Sequence, residues 1–452
     1  MAATLVLMLL ALQLSAADWP RFRGPNGSGV DSSTTLPSEF GPSKNAAWKT
    51  AVPFGRSSPI VAGNRVFLTA SEGESLLTLA YDASTGRELW RKVLKRTHNH
   101  KIYKANDAAS STPAADEKNV YAFFPDFGLV SYTQEGEERW RHALGPFDNF
   151  YGLSSSPILA QGLVILLCDQ TQGSFLLALE KESGRRRWKT ERPGMTTGWS
   201  VPIVHQSQIL VFGSTRIDSY YVATGEQHWR VPVSSMGSMG SPVIHQDSLI
   251  VTADGSDQPW MPAFESTAAK LDKDKDGRLS IDESKEEKDW FEHFGWVDAD
   301  HDGFITAAEW NAARSFGLGD YGVVSIPLSG GAVKWRFKRN LPYIPSPVVY
   351  DGVFYMVKDG GIVTTLDPTT GALLKQGRTE KAPGTYYASP VAAADKIFLL
   401  SEEGKLTVLK AGAQWEVLAV NDLGEESYAT PAISNGRIFV RTRGSLYCFT
   451  AK

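Results

Sequence analysis

Cysteine is scarce in this 452-residue chain: Cys168 and Cys448 stand far apart, each inside an apolar run. They show no zinc-type spacing, and two buried free thiols are the simplest reading, with a single disulfide as the alternative. A surplus of one charge is missing as well. With 46 Lys+Arg against 50 Asp+Glu the net charge is −4, and no basic stripe occurs, which argues against nucleic acid as the main partner. After residue 14 no apolar run is long enough to read as a transmembrane segment. His-Glu-x-x-His, a Walker loop and Gly-x-Ser-x-Gly are absent; the near match Gly237-Ser238-Met239-Gly240 reads as a connection between repeats.

The one apolar stretch, residues 5–14, is too short for a bilayer and ends in Ser15-Ala16-Ala17. Residues 1–17 therefore read as a signal peptide, although the usual positive start is missing, and no cysteine at its end offers a lipid anchor. The expected location is the periplasm or the extracellular medium.

The 41 Gly, 24 Pro and 13 Trp point to many turns joining aromatic-rich strands. Eight steps recur in phase: Ser58-Pro59, Thr112-Pro113, Ser156-Pro157, Val201-Pro202, Ser241-Pro242, Ser346-Pro347, Ser389-Pro390 and Thr430-Pro431. Proline is tolerated at the first residue of a strand, where its missing N–H costs no ladder bond. Each unit closes on a glycine suited to a hairpin, followed four residues later by tryptophan: Gly86/Trp90, Gly136/Trp140, Gly184/Trp188, Gly225/Trp229 and Gly331/Trp335. The sixth unit has Lys375 after Gly371, and the seventh has Trp415 after Gly412. The eighth ends without its tryptophan strand, while a spare Trp48 precedes the first unit. Circular closure, with the Trp48 strand completing the last unit, predicts a mainly β fold: an eight-bladed β-propeller.

These repeats resemble the quinoprotein-like propellers, the pyrroloquinoline quinone (PQQ) repeat superfamily. It includes quinone-dependent (quinoprotein alcohol dehydrogenase-like) enzymes and the outer-membrane-protein assembly lipoprotein. The opening Asp18-Trp19-Pro20-Arg21-Phe22-Arg23-Gly24-Pro25-Asn26-Gly27, with Met356-Val357-Lys358-Asp359-Gly360-Gly361 and Tyr387-Ala388-Ser389-Pro390, is similar to a PQQ-binding-like bacterial subfamily. The resemblance covers the mature chain outside one insertion and implies a fold more firmly than an activity. Many of the dehydrogenases carry an adjacent-cysteine disulfide, which Cys168 and Cys448 cannot make.

The fifth unit is too long: Pro242 to Pro347 is 105 residues against 40 to 54 between other neighbouring steps. The excess, residues 264–316, reads as helical and carries 14 Asp/Glu against 7 Lys/Arg. Two twelve-residue loops match the EF-hand pattern. The first places Asp272, Asp274, Asp276, Arg278 (through its carbonyl), Ser280 and Glu283 at the ligand positions; the second places Asp298, Asp300, Asp302, Phe304 (through its carbonyl), Thr306 and Glu309. Hard carboxylate oxygens suit Ca²⁺, Gly277 and Gly303 allow the sharp turn, and the final glutamates close each shell. The reading is a pair with two Ca²⁺ sites, Leu279 and Ile305 pairing between loops, and one shared helix over roughly 282–297. In an exported protein a structural clamp is favoured over a switch.

The expected organisation is a signal peptide at 1–17, propeller at 18–263, an α-helical EF-hand pair at 264–316 inserted in blade 5, and propeller again at 317–452. The connections between blades carry His98, His100, Asn106, Tyr151, Trp199, Tyr343, Tyr386, Tyr387 and Tyr428, and their convergence predicts a polar, aromatic mouth on the face the insertion overhangs. Two functions stand: an exported calcium-binding propeller serving as a binding or scaffold protein for a protein, small-molecule or carbohydrate partner, or a quinone-dependent oxidoreductase or carbohydrate-active enzyme. No catalytic or quinone-binding residue can be matched, which weighs against PQQ as cofactor and against catalysis.

Overall fold

The computed structural model describes residues 18–100, 102, 106–149, 151–237 and 239–451. The signal peptide read at 1–17 and Ser238 of the Gly-Ser-Met-Gly run lie outside them. Eight four-stranded antiparallel sheets, the blades, follow one another in chain order. Innermost strands of neighbouring blades touch between blades 1 and 2, 2 and 3, 5 and 6, 6 and 7, and 7 and 8, and blade 8 touches blade 1. Blade 8 is composite: the strand Ala46–Ala51 pairs with Ser445–Thr450, with Trp48 opposite Cys448. Circular closure is therefore the arrangement found. The second strands, such as Leu163–Cys168, are buried along their whole length because a blade covers each face, whereas outer strands such as Arg186–Glu191 alternate toward solvent. Cys168 and Cys448 are buried free thiols in blades 3 and 8.

Two sets of bonds stitch the blades. Around the axis, the backbone N–H of each step residue donates to the hydroxyl of the next blade's step residue. Ser58 donates to Thr112 and Thr112 to Ser156; Val201 donates to Ser241, Ser241 to Ser346, Ser346 to Ser389, Ser389 to Thr430, and Thr430 back to Ser58, all at 2.9–3.1 Å. Only the link from Ser156 to blade 4 is missing, because Val201 has no hydroxyl. At the rim, the indole N–H of Trp48, Trp90, Trp140, Trp188 and Trp335 donates to a carbonyl of the following blade at 2.8–3.1 Å. Each of those rings lies over that blade's turn glycine. A Cβ on Gly86, Gly136, Gly184, Gly225 or Gly371 would sit 2.5–2.9 Å from it. The repeat's glycine is thus both a positive-φ turn and the floor for its neighbour's tryptophan.

Blade 5 keeps Gly331 at positive φ before Trp335 but divides the glycine's two tasks. Gly330, not Gly331, lies beneath Trp229, its Cβ position 2.8 Å from the indole, while Gly331 has open space around it. The irregular sixth and seventh units compensate each other. Lys375 stands where tryptophan is expected, and Trp415 turns back to meet it: Lys375 Nζ lies 4.4 Å from the Trp415 ring and donates to the Trp415 carbonyl at 2.6 Å.

Residues 19–36 form a strap across the face opposite the connections between blades. It bonds to Val61, Ala115, Val204, Ala392 and Gly436, in blades 1, 2, 4, 7 and 8. Trp19 is fully buried under it.

Residues 264–316 leave blade 5 between the strands Ser248–Ala253 and Gly322–Pro327, which still pair with each other. They contain helices α1 (Phe264–Leu271), α2 (Ile281–Ser284), α3 (Lys288–Val297) and α4 (Ala307–Arg314). The single shared helix is not found: α2 and α3 are separate. The exposed run Lys285-Glu286-Glu287 between them has no apolar side chain to bury, so nothing holds it to one helical axis. Met261, Phe264, Leu271, Leu279, Phe294, Val297, Ile305, Trp310 and Ala313 make a core of their own.

Candidate functional site

Within the insertion the two loops share one set of backbone-to-carboxylate bonds, and the first alone adds an ion pair from the Arg278 guanidinium to Asp276 Oδ2. In the first, Gly277 N–H donates to Asp272 Oδ2, Asp276 N–H to Asp274 Oδ1, and Arg278 N–H to Asp276 Oδ1. In the second, Gly303 donates to Asp298, Asp302 to Asp300, and Phe304 to Asp302 through the corresponding atoms. The closing glutamates reach back in the same way: Glu283 accepts from Lys273 and Ser280 N–H, and Glu309 from Ala299 and Thr306 N–H. Lys275 and His301, both at φ 59°, and Gly277 and Gly303, at 82° and 89°, make the turn in each loop. The short strands pair as expected, Leu279 opposite Ile305.

The effect is to point oxygens inward. In each loop three aspartates, Asp272, Asp274 and Asp276 or Asp298, Asp300 and Asp302, present ligand atoms within 4.8 Å of one another. Asp272 Oδ1 and Asp298 Oδ1 are buried and have no hydrogen-bond partner. Burial raises the Asp298 carboxyl above its ordinary range, with Glu309 and Asp302 adding to the effect. Ser280 Oγ–H and N–H hold Glu283 below its own. A cluster of acids with an orphaned buried oxygen at loop position 1 fits a divalent cation, which would take up the charge and the free lone pairs.

The second loop also touches the propeller. His301 Nε2 lies 3.1 Å from Asp148 Oδ2, and Gln172 Nε2 donates to the Ala299 carbonyl. Asp148 belongs to the connection between blades 2 and 3, which also carries Tyr151.

On that same face the blade connections enclose a cavity of about 390 Å³. Seven of the nine residues anticipated for the mouth line it: Asn106, Tyr151, Trp199, Tyr343, Tyr386, Tyr387 and Tyr428. His98 and His100 do not, being drawn aside by Asp126: its carbonyl accepts the His98 N–H, and its carboxylate pairs with the His100 ring. Seven of the ring residues, Ser58, Thr112, Ser156, Val201, Ser346, Ser389 and Thr430, also line it, and Phe22 of the strap joins them.

A positional rule that the residue types concealed governs the wall. The residue two places before each step residue lines the cavity in all eight blades: Arg56, Ser110, Ser154, Trp199, Met239, Ile344, Tyr387 and Tyr428. Reading that offset would have found Arg56, which was missed. Its guanidinium stacks 4.0 Å from the Tyr428 ring, while its Nε and Nη1 have no hydrogen-bond partner. Asp359 is the one carboxylate in the wall, and its Oδ1 accepts the Tyr386 N–H at 2.8 Å. Burial and the Glu402 carboxylate beside it push the Tyr428 hydroxyl up to about 12, so it stays a neutral donor at physiological pH. The arrangement is a cup of aromatic faces and hydroxyls in which, among the described lining residues, Arg56 is the one cationic group; it suits a small polar ligand.

The chain resembles known proteins over nearly its whole length. The family profile described as outer membrane protein assembly factor BamB matches residues 41–170, 150–267 and 300–452, and omits 268–299, which holds the first acidic loop and the start of the second. A relative, the outer membrane protein assembly factor BamB of Yersinia pestis, is 22% identical over 389 residues, 81% of this chain and 88% of that protein. The crystal structure of BamB from Moraxella catarrhalis superposes with a TM-score of 0.55 at 13% identity, over 90% of this chain and 98% of that one. A europium-containing methanol dehydrogenase superposes with a TM-score of 0.65 at 10% identity, over 98% and 100%. Identities this low carry the propeller fold and no activity. The family match spans most of the chain, and this protein belongs to the BamB-type family of PQQ-repeat propellers.

Proposed function

We propose that this chain is an exported, calcium-braced binding or scaffold propeller, with residues 264–316 an EF-hand pair clamped over the mouth. One observation carries the reading: two loops that share their backbone-to-carboxylate bonds each leave a buried aspartate oxygen, Asp272 Oδ1 and Asp298 Oδ1, with no partner. Asp272, Asp274, Asp276, Ser280 and Glu283, with the Arg278 carbonyl, would hold one Ca²⁺. Asp298, Asp300, Asp302, Thr306 and Glu309, with the Phe304 carbonyl, would hold the other. Bound calcium supplies charge compensation and rigidity. The bonds from Ala299 and His301 to blades 2 and 3 support a brace, since they tie the second loop to the mouth's own wall. The aromatic, hydroxyl-rich cup supports a ligand on that face, and family membership supports assembly-type binding over catalysis.

The test is a paired titration of the purified mature protein. Calorimetry with Ca²⁺ is expected to give two sites, and titration with PQQ, followed by absorption, no saturable binding. Saturable one-to-one quinone binding abolished by EDTA would replace this reading with a quinone-dependent oxidoreductase. The absence of calcium heat would remove the brace.

A further inference from the structure

Among the described residues, the fully buried arginines differ in how many of their donors are used. Arg192 is fully buried and spends its guanidinium on Asp169, Asp218 and the Tyr220 hydroxyl at 2.6–3.1 Å. Arg441 is likewise buried and donates to four oxygens, from Pro53, Ser57 (two) and Thr69, leaving Nε alone without a partner. Arg21 and Arg23 of the strap are treated differently. They are 7% and 0% exposed, and neither forms an ion pair among the described residues. Arg21 makes a single bond, Nη2 to the Pro202 carbonyl at 2.6 Å. Arg23 gives Nη2 to the Pro347 carbonyl and, at 3.4 Å, to the Ser28 carbonyl. Arg21 Nε, Arg23 Nε and Arg23 Nη1 have no acceptor.

Those carbonyls locate the pair. Pro202 and Pro347 directly follow Val201 and Ser346, so the guanidiniums reach the channel just beyond the step residues, on the strap side. Space is kept for them by Gly27 and Gly29, at φ 67° and 75°; a Cβ there would lie 3.3 Å from Arg21 Nη2 and 2.9 Å from Arg23 Nη2. The strap's own acid, Asp31, is buried but spends Oδ1 on Ser33 and forms no ion pair. Burial draws both guanidiniums down to about 9, Arg23 being lowered further by the charge of Arg21, so both remain cationic at neutral pH. Arg441 shows that one buried cation can be held by oxygens alone; two neighbouring cations with three orphaned donors and no counter-charge carry a desolvation and repulsion cost that an anion between them would offset.

We propose that the strap side of the propeller channel holds a small inorganic anion, chloride in a chloride-containing medium, bound by the free N–H groups of Arg21 and Arg23. The two side chains are closed off from solvent, so the ion is enclosed as the strap seats, and it acts as an internal counterion. A ligand large enough to fill the mouth is excluded there. This inference is independent of calcium and of whatever the mouth binds.

The unaltered mature protein is crystallised from bromide, and anomalous scattering is measured at the bromine edge. One bromide within hydrogen-bond reach of Arg21 Nε and Arg23 Nε or Nη1 is expected; water alone there, or Asp31 turned onto Arg23, overturns the proposal. In parallel, the protein is refolded from urea in potassium chloride or in potassium gluconate, an anion too bulky to be enclosed, at equal ionic strength. The Tm is expected to be about 2–4 °C higher in chloride, and Arg23→Met is expected to abolish the difference while losing nothing in gluconate. Equal Tm values for the unaltered chain in the two salts overturn the site. Should Arg23→Met fail to fold, the bromide peak in the unaltered chain decides.

Discussion

In the propeller, the residues that recur from unit to unit meet a different unit: Trp140 lies over Gly184 of the next blade, and the Ser346 N–H reaches the Ser389 hydroxyl of the next. In the insertion, apart from the Leu279–Ile305 pairing, the residues that recur meet their own loop. Asp298 takes its bond from Gly303 and Glu309 from Thr306, and the acids otherwise face one another. The first kind of repetition completes itself once the ring closes. The second leaves like charges together and buried oxygens unpartnered. The difference teaches that one chain can hold a body whose repeats satisfy one another and, on the proposed reading, a module that a cation would complete.

The sharpest way to break the comparison is to remove calcium. With EGTA, the insertion's cooperative unfolding is expected to fall to low temperature while the propeller's transition stays in place. At a free calcium of about 1,000 Kd the linkage is worth about 4 kcal/mol per site. Calorimetry that shows one transition moving as a whole would mean the two bodies share their stability. Next in size is Gly184→Val, which puts a branched side chain on a positive-φ position beneath Trp140. Overpacking and backbone strain together predict a loss of about 3 kcal/mol from the propeller transition only, read from urea midpoints.

A smaller effect sharpens the contrast in the other direction. Val201→Thr supplies the missing hydroxyl and gives the Ser156 N–H its acceptor, with an expected gain of about 1 kcal/mol by the same assay. The smallest concerns pH. Asp367 is held below its ordinary pKa by N–H bonds from Thr370 and Thr369. A depressed folded pKa contributes stability above the unfolded value, lost as pH falls through the folded one. Asp367→Asn should therefore flatten part of the propeller's loss of stability below about pH 4. An unchanged pH profile would remove this turn from the account.

Most of the ring was legible because its bonds need particular atoms at a fixed period. A hydroxyl before proline and a glycine before tryptophan are local signatures, and the displaced Trp48 betrayed the closure. The acidic loops were legible for the same reason. What sequence could not show depends on partners distant in the chain. Trp415 folds back because Lys375 leaves room for it, and Gly330 rather than Gly331 meets Trp229 because the blade 5 turn is shifted by one. His98 and His100 read as mouth residues by their place, yet Asp126 draws them aside. Arg56 was hidden because the wall is defined by an offset from the step residue and not by residue type. Arg21 and Arg23 were legible only as a family motif; their burial arises from carbonyls in blades 4 and 6.

The joining of both chain ends in one blade has a temporal consequence. Trp48 pairs with Cys448, 400 positions later, so no growing or translocating chain can finish the ring before its last strands arrive. Until then the molecule is an open arc with an unpaired strand edge at each end, the state most apt to pair with the wrong neighbour. Blade 8 acts as the latch in time as well as in space, and the interval before it shuts is when this protein most needs shielding from other chains.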